Sequence, residues 1–420
     1  MPTKVFAHFK VRNGRPRLAS IVEPASTIRT GSSRPDCETY LSIGIIAWNE
    51  EAGVASTIES LFQQSIFAEL GRRRLKCEVI CVANGCTDRT AVVAAESFKL
   101  QQQRNPCSDS TFVRVANLTE RGKTNAWNQF VHFLSAKESQ FLFLMDADIL
   151  FNKPDTLRNM LACLENDSRA NVSVDRPRKD VSFKPRKSVW DHLSLMAAET
   201  TLNAQAQLCG QLYCIRAEIA RNIYLPKNLG SCEDGFIKTL VCTNFLSEPV
   251  APERIRVAED AEHIFEAYTS PAAVFKNQKR QVIGQTILHL LVDDYLKRMP
   301  TRARQRLGET IKEKEAVDPS WLKRLIAEHV ERTRYFWQLY PGLLTIRFKR
   351  LAGLKPLKRL ACFPAAAAGF LMSFIACWKA YQTLKQGSID YWPGKSQGPK
   401  PDEPEPAQLW KMTATNPNSK

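Results

Sequence analysis

Residues 141–148 read Phe-Leu-Phe-Leu-Met-Asp-Ala-Asp, five apolar residues followed by two aspartates. A nearly continuous apolar run of this length is typical of a strand that is buried on both faces. On an extended backbone the side chains of residues i and i+2 point to the same side. This stretch therefore predicts a buried strand that ends in two neighbouring carboxylates, Asp146 and Asp148.

Three earlier segments show the same order of an apolar run, a polar cluster and a helical pattern. The apolar runs are residues 41–47, 77–82 and 112–116. The helical patterns that follow them are residues 54–62, 90–97 and 124–134. Such alternation predicts an α/β fold with a mostly parallel sheet and crossover helices. Ligands of these sheets bind beyond the carboxyl ends of the strands, so we expect the polar clusters to form a site there.

The second half of the chain is less regular. Asp191–Leu208 has helical spacing, Gly210–Ile215 resembles a strand, and residues 285–340 are mostly helical and strongly charged. Together these patterns predict five regions. They are an N-terminal extension (1–39), an α/β domain (40–290), a charged helical region (291–358), a hydrophobic helix (359–380) and a tail (381–420), disordered from residue 395.

Composition and charge restrict the class of protein. The chain has 420 residues, of which 44% are hydrophobic and 24% charged, which excludes a disordered chain. The net charge of +16 suits an anionic partner, such as a nucleotide diphosphate or an acidic lipid surface. No motif supports binding of nucleic acid. The first residues do not resemble a secretory signal, so we expect the 12 cysteines to stay reduced.

The aspartate pair after the fourth strand predicts a cation site. Two neighbouring carboxylates repel each other, and a hard cation such as Mn²⁺ or Mg²⁺ relieves this repulsion. The alternative is that one aspartate caps the next segment while the other is a solvated charge. Two other nucleotide folds are disfavoured, since neither Gly-x-Gly-x-x-Gly nor a complete Walker loop follows a predicted strand.

Six motifs occur in the order that is found in family 2 glycosyltransferases, and the chain resembles that family over roughly residues 41–285. They are Ile46–Glu50, Val82–Thr90, Arg121–Asn128, Met145–Asp148, Gly210–Tyr213 with Arg216, and Glu233–Gly235. The resemblance implies a GT-A type fold and an inverting transfer of sugar from a nucleotide-diphosphate sugar, with a UDP-sugar favoured. It also implies a divalent cation as cofactor.

The resemblance implies expected roles for individual residues. The donor nucleotide would be bound by Ala47, Asn49, Glu50, Asn84, Asp88, Lys123 and Asp146. Asp146 and Asp148 would hold the cation, and His263 could approach it. Lys279 and Arg280 would hold the diphosphate, and Gly210 and Gln211 would lie on the acceptor side. Structural alternatives remain: helix capping for Asp88, a helix-dipole charge for Glu50, a solvated surface lysine for Lys123, and a solvated basic helix face for Lys279 and Arg280.

Asp234 is the candidate general base, with Glu233 beside it. Inversion requires a carboxylate that takes the proton of the acceptor hydroxyl as the oxygen attacks the anomeric carbon. The pair precedes a helix predicted at residues 236–241, so both carboxylates could instead favour its N-terminus. Glu259–Asp260 competes, but it lacks the family's spacing from Gly210. Ala83–Asn84 replaces the acidic residue that usually ends the family's second strand, and Gln281 replaces a tryptophan typical of processive members.

An uncharged run, Leu360–Trp378, follows a basic cluster at residues 347–359. It predicts a single membrane span, an in-plane membrane helix or, less favoured, a core helix. We therefore expect the enzyme at the cytoplasmic face of a membrane, peripheral or single-pass. A lipid-linked or cell-surface glycan is the expected acceptor, in cell envelope polysaccharide biosynthesis. The alternatives are a nucleotide-sugar-binding protein without turnover and a nucleotidyltransferase.

Overall fold

A computed structural model of the chain describes residues 39–104, 110–188, 207–268, 270–340 and 356–387, together with residues 191, 195, 344 and 352. Three predictions lie outside these residues: the N-terminal extension, the tail from residue 395 and nearly all of the helix at 191–208.

The first half of the fold alternates strands and helices as the sequence predicts. The strands are β1 (Thr39–Ala47), β2 (Lys76–Asn84), β3 (Thr111–Leu118) and β4 (Phe141–Asp146). The helices are α1 (Val54–Phe62), α2 (Ile66–Arg72), α3 (Thr90–Arg104) and α4 (Lys123–Gln129), which continues into a π turn (Phe130–Leu134). The four strands are parallel in the order β3-β2-β1-β4. Residues 41–47 of the central strand β1 are fully buried, because helices cover both faces of the sheet.

The second half extends this sheet and adds a smaller one. Its strands are β5 (Leu150–Phe151), β6 (Val172–Val174), β7 (Arg178–Lys179), β8 (Leu212–Arg216), β9 (Ile255–Val257) and β10 (His263–Phe265). Its helices are α5 (Thr156–Asn166), α6 (Ala217–Arg221) and α7 (Glu233–Cys242). The large sheet has the order β3-β2-β1-β4-β8-β6-β9, and the small sheet has the order β5-β10-β7. Strand β8 runs antiparallel to β4, so the chain just before β8 meets the carboxyl end of β4.

The C-terminal helices pack on one face of the large sheet. They are α8 (Pro271–His289) with a π turn (Leu290–Tyr295), α9 (Thr301–Gln305), α10 (Leu307–Val317), α11 (Trp321–Arg332) and α12 (Pro356–Lys385). Short 3₁₀ turns lie at Asp180–Phe183, Pro252–Arg254, Leu296–Arg298 and Phe336–Leu339. Buried Ile287, Ile326 and Ala380 belong to the same apolar cluster as Leu144 of β4. The helices therefore share one hydrophobic core with the sheet.

Helix α12 contains most of the predicted hydrophobic helix at residues 359–380. No helix in the described part of the chain is both long enough and apolar enough to cross a membrane. This finding goes against the single-span alternative for that segment.

Candidate active site

The carboxyl end of β4 places two acidic residues at the edge of the sheet. Asp146 is the last residue of β4, and its backbone N–H donates a 2.8 Å hydrogen bond to the carbonyl of Gln211 before β8. Burial raises the pKa of Asp146 to about 6; nearby Lys123 opposes this shift, and the charge of Asp148 adds to it. The predicted pair of neighbouring carboxylates is therefore present.

Lys123, the first residue of α4, lies among these acidic groups. Its Nζ is 2.9 Å and 3.1 Å from the two carboxylate oxygens of Asp146, 3.0 Å from Oε1 of Glu233 and 3.4 Å from the carbonyl of Gly210. Burial disfavours the ammonium, but Asp146 and Glu233 outweigh it and raise the pKa of Lys123 well above its usual value. Lys123 is therefore not a solvated surface lysine; it links the end of β4 to the start of α7.

The loop before Lys123 is held by the end of β2. The side-chain oxygen of Asn84 accepts a 3.1 Å hydrogen bond from the backbone N–H of Gly122. Gly85 has φ +60°, and a Cβ there would lie 2.9 Å from Cα of Arg121, so a larger residue would strain this contact. The guanidinium of Arg121 in turn lies 3.6 Å from the ring centre of Trp48. Asn84 thus positions the loop that carries Lys123, while its buried Nδ2 has no hydrogen-bond partner among the described residues.

Glu233 and Asp234 lie in the first turn of α7, which begins three residues earlier than predicted. Burial raises the pKa of Asp234 to about 6, with a further increase from Glu233. The backbone N–H of Gly235 donates a 2.7 Å hydrogen bond to Oδ1 of Asp234 and opposes this increase. A Cβ on Gly210 would lie 3.3 Å from Cβ of Asp234, so the glycine leaves room for the acidic pair.

A small cavity joins these groups. Its polar lining consists of Lys123, Asp146, Glu233, Asp234 and the backbone of Gly210. Apolar residues form the rest of the wall, including Ile46, Trp127, Leu144, Met145, Tyr213 and Ile237. The structure thus brings together predicted residues from the donor, cation, acceptor and catalytic groups.

The loops after β1 and β2 are tied together by hydrogen bonds. Asn49 has φ 53°, and its Oδ1 accepts a 2.8 Å hydrogen bond from the N–H of Thr87. The N–H of Glu50 donates to Oγ1 of Thr90 at 2.8 Å. Oδ1 of Asp88 accepts a 3.0 Å hydrogen bond from the N–H of Thr90. Its Oδ2 accepts a 3.1 Å hydrogen bond from the N–H of Glu51, in the loop after β1. The structural role of Asp88 is therefore present; the nucleotide roles of these residues and of buried Ala47 stay predictions.

His263 is fully buried in β10 and paired with a residue that the sequence did not reveal. Its Nδ1 lies 2.7 Å from Oδ2 of Asp175, and its Nε2 has no hydrogen-bond partner among the described residues. β10 pairs with β5, which begins two residues after Asp148, so the topology brings His263 toward the aspartate pair. Within the described ranges, no group of three His, Cys, Asp or Glu side chains could hold a metal ion by itself.

The two basic residues predicted for the diphosphate lie on different sides of α8. The charge of Arg280 lowers the pKa of Asp234, so Arg280 lies toward the acidic pair; its Nη2 donates to Oδ1 of Asn277 at 2.9 Å. Partial burial and the nearby charge of Lys379 on α12 lower the pKa of Lys279. Of the two, Arg280 is therefore the residue near the cavity.

Several solved structures are similar to this chain. One is a mannosyltransferase from Pyrobaculum calidifontis in complex with GDP-Man and Mn²⁺ (16% identity, 84% of this chain and 88% of that chain covered, TM-score 0.47). Another is S. aureus TarS 1–349 (14% identity, 83% of this chain and 92% of that chain covered, TM-score 0.38). A third is glucosyl-3-phosphoglycerate synthase from Mycobacterium tuberculosis (15% identity, 60% of this chain and 79% of that chain covered, TM-score 0.40). No curated protein matches the sequence significantly.

The sequence model of glycosyl transferase family 2 matches residues 42–222. This range contains the strand ends of β1 to β4, Lys123 and both predicted cation-binding aspartates, whereas Glu233 and Asp234 follow it. The parallel strands, the antiparallel β8 and the strand-end site agree with the GT-A type fold that the resemblance implies. Residues 42–222 of the chain thus match glycosyl transferase family 2, within a mixed α/β fold of the GT-A type.

Proposed function

We propose that the protein transfers a sugar, with inversion, from a nucleotide-diphosphate sugar to an acceptor hydroxyl, and that Asp234 is the general base. The observation that carries this proposal is the cluster of Lys123, Asp146 and Glu233 beside Asp234. It joins the predicted donor side, at the end of β4, to the predicted catalytic side, at the start of α7.

The donor nucleotide would lie over the carboxyl ends of β1 and β2. Asn49, Glu50 and Asp88 stand in the loops after these strands, and Ala47 ends β1. Asn84 ends β2 and holds the loop before Lys123 through its side-chain oxygen, which would position that loop beside the donor. We favour a uridine nucleotide.

The residues present fit a divalent cation. Asp146 and Asp148 offer carboxylate oxygens, and His263 offers a buried Nε2 that no described residue contacts by hydrogen bonding. Asp175 would orient the imidazole through Nδ1, as carboxylates do for metal-binding histidines. Small divalent cations complete their shells with phosphate oxygens and water, so a preformed set of three protein ligands is not required. When bound, the cation would stabilise the negative charge of the leaving diphosphate.

The chain's own residues would carry the proton and hold the reactants. The acceptor hydroxyl would give its proton to the Asp234 carboxylate while the hydroxyl oxygen bonds to the anomeric carbon. The bond between that carbon and the diphosphate oxygen would break on the opposite face of the sugar. Arg280, whose charge lowers the pKa of Asp234, would also offset the negative charge of the diphosphate. Gly210 and Gln211, which precede β8, would border the acceptor. A base with a pKa near the working pH is effective, and burial gives Asp234 that property.

The acidic limb of the pH profile is expected to reflect Asp234. Its pKa of about 6 lies above the usual carboxyl value because of burial, so the carboxylate takes up a proton as pH falls through about 6. Turnover should therefore rise with pH and level off above that point. Measuring turnover at saturating donor between pH values of about 4 and 9 checks this, and a profile that stays flat through pH 6 contradicts it.

The cation role predicts that donor binding depends on metal through Asp148. Asp148→Ala should remove the gain in nucleotide-diphosphate affinity that manganese provides, a loss of at least about tenfold. Calorimetric titration of UDP in manganese and in chelator checks this prediction. Glu259→Ala, at an exposed carboxylate, is the matched control. Equal affinity of the wild type in manganese and chelator would contradict the role of the cation.

We further propose a lipid-linked or cell-surface glycan as acceptor, in cell envelope polysaccharide synthesis at the cytoplasmic membrane face. The basic residues that precede α12 support a location at an anionic surface. Fractionation of cell extracts in low and high salt tests this location, and a protein wholly absent from the membrane fraction in low salt contradicts it.

A further inference from the structure

Helix α12 has one face that packs against the protein. The buried residues of this face are Ser373, Ala376, Cys377, Ala380 and Leu384. They recur every three or four residues, as positions on one side of a helix do. The Ser373 hydroxyl accepts a 3.0 Å hydrogen bond from Nε2 of Gln278 on α8. The side of α12 that packs against the rest of the protein is thus formed mostly by small side chains.

The opposite face of α12 exposes large apolar side chains. Leu360 is 77% exposed, Phe363 53%, Leu371 59% and Trp378 42%. At 100° per residue these four positions fall within one narrow stripe, which is about 27 Å long at 1.5 Å per residue. We call this stripe the outer face of α12. Large apolar side chains exposed along one side of a helix mark a site that binds another protein or a membrane.

Aromatic side chains next to α12 and one lysine extend this outer face. The ring of Phe336 lies 5.0 Å from that of Phe374 on α12, and Trp337 beside it is 48% exposed. Nζ of Lys379 lies 4.9 Å from the ring centre of Trp378. Exposed tryptophan beside lysine is the combination enriched where a protein meets lipid headgroups.

The positive charge around this face favours an anionic membrane over a second copy of the chain. Residues 332–389 contain ten Lys and Arg residues and no Asp or Glu. A second copy of the chain would bring the same positive charge against it, which disfavours self-association through this face. A membrane with anionic lipids offers both apolar contact and negative charge.

We propose that the outer face of α12 lies parallel to, and docks on, a membrane surface that contains anionic lipids. The inference rests on the membrane location proposed above and names the surface responsible. It does not depend on the transfer reaction.

Flotation of the full chain with lipid vesicles tests the inference. Wild type should float with vesicles of phosphatidylcholine and phosphatidylserine and stay behind with phosphatidylcholine alone. Phe363→Glu combined with Leu371→Glu should lower the partition coefficient by about tenfold or more, because both carboxylates would enter the lipid interface. Val317→Glu is the matched control, since Val317 is exposed but lies at the end of α10. It should float like wild type.

Unchanged flotation of the double variant would overturn the inference, and so would equal flotation of wild type with both vesicle types. It would also be overturned if wild type formed a dimer that did not float and the double substitution made that dimer dissociate. Thermal unfolding verifies that the variants are folded. If the double variant does not fold, Leu371→Ser alone replaces it in the flotation experiment. Metal-dependent UDP binding, measured on the same proteins, should be unchanged. It therefore separates a failure of docking from a failure of the proposed function.

Discussion

Asp234→Asn should lower turnover by ~10²–10⁴-fold, the contribution of a positioned general base. The amide keeps the shape of the carboxyl group and can still accept the hydrogen bond from the N–H of Gly235, but it cannot take a proton from the acceptor. Donor and cation binding should be nearly unchanged, because those sites are proposed at the ends of β1, β2 and β4. Steady-state turnover and UDP titration on the same preparation check both parts.

Glu259→Gln is the control for this experiment, since it changes the competing acidic pair that the sequence offers. Its turnover should match wild type, because Glu259 is exposed in the loop between β9 and β10 and does not line the cavity. Near-normal turnover of Asp234→Asn would transfer the role of base to another carboxylate, with Glu233 first.

Lys123→Met should destabilise the protein by about 3–5 kcal/mol, the cost of removing one partner from a buried ion pair. It leaves Asp146 and Glu233 without the ammonium that both contact within about 3 Å. The pKa of Asp146, already about 6, should rise further. The folded variant then binds a proton that the unfolded chain releases, so its free energy of unfolding should fall as pH rises through 6. Denaturant unfolding at several pH values checks this prediction.

Lys153→Met is the matched control. Lys153 also pairs with two carboxylates, Asp260 and Glu262, but it lies at the surface. Exposed ion pairs contribute roughly 0–1 kcal/mol, so this variant should unfold nearly like wild type. Equal stability of Lys123→Met and wild type would show that the lysine does not hold the site together.

The strand ends were predictable because each is encoded locally. Residues 141–148 specify a buried strand and its two terminal carboxylates within eight residues, and β1 and β2 have comparably long apolar runs. The parallel sheet follows from their alternation with helices.

The contacts of Lys123 were not predictable from local sequence. Its loop is positioned by Asn84, and its second carboxylate comes from Glu233, more than a hundred residues later. Asp175 was missed for a related reason. It does follow a strand, but Val172–Val174 is too short for its pattern to be distinguished from a loop.

The role of α12 was ambiguous because an uncharged helix can be buried by lipid or by protein. Its protein-facing side consists largely of small residues such as Ala376 and Ala380, while Leu360 and Leu371 lie on the outer face. Only the packing of α12 on α8 separates the two faces.

The anomeric configuration of the product shows whether the sugar is transferred in a single displacement. Wild-type protein with manganese is given a panel of α-linked nucleotide-diphosphate sugars, and the anomeric proton of the first sugar product is followed by NMR. Slow transfer to water suffices, so the natural acceptor is not needed. We expect one donor to be consumed with the β-anomer appearing first, at a rate that Asp234→Asn lowers strongly. An α-anomer as first product, or consumption that Asp234→Asn leaves unchanged, would contradict single displacement assisted by Asp234.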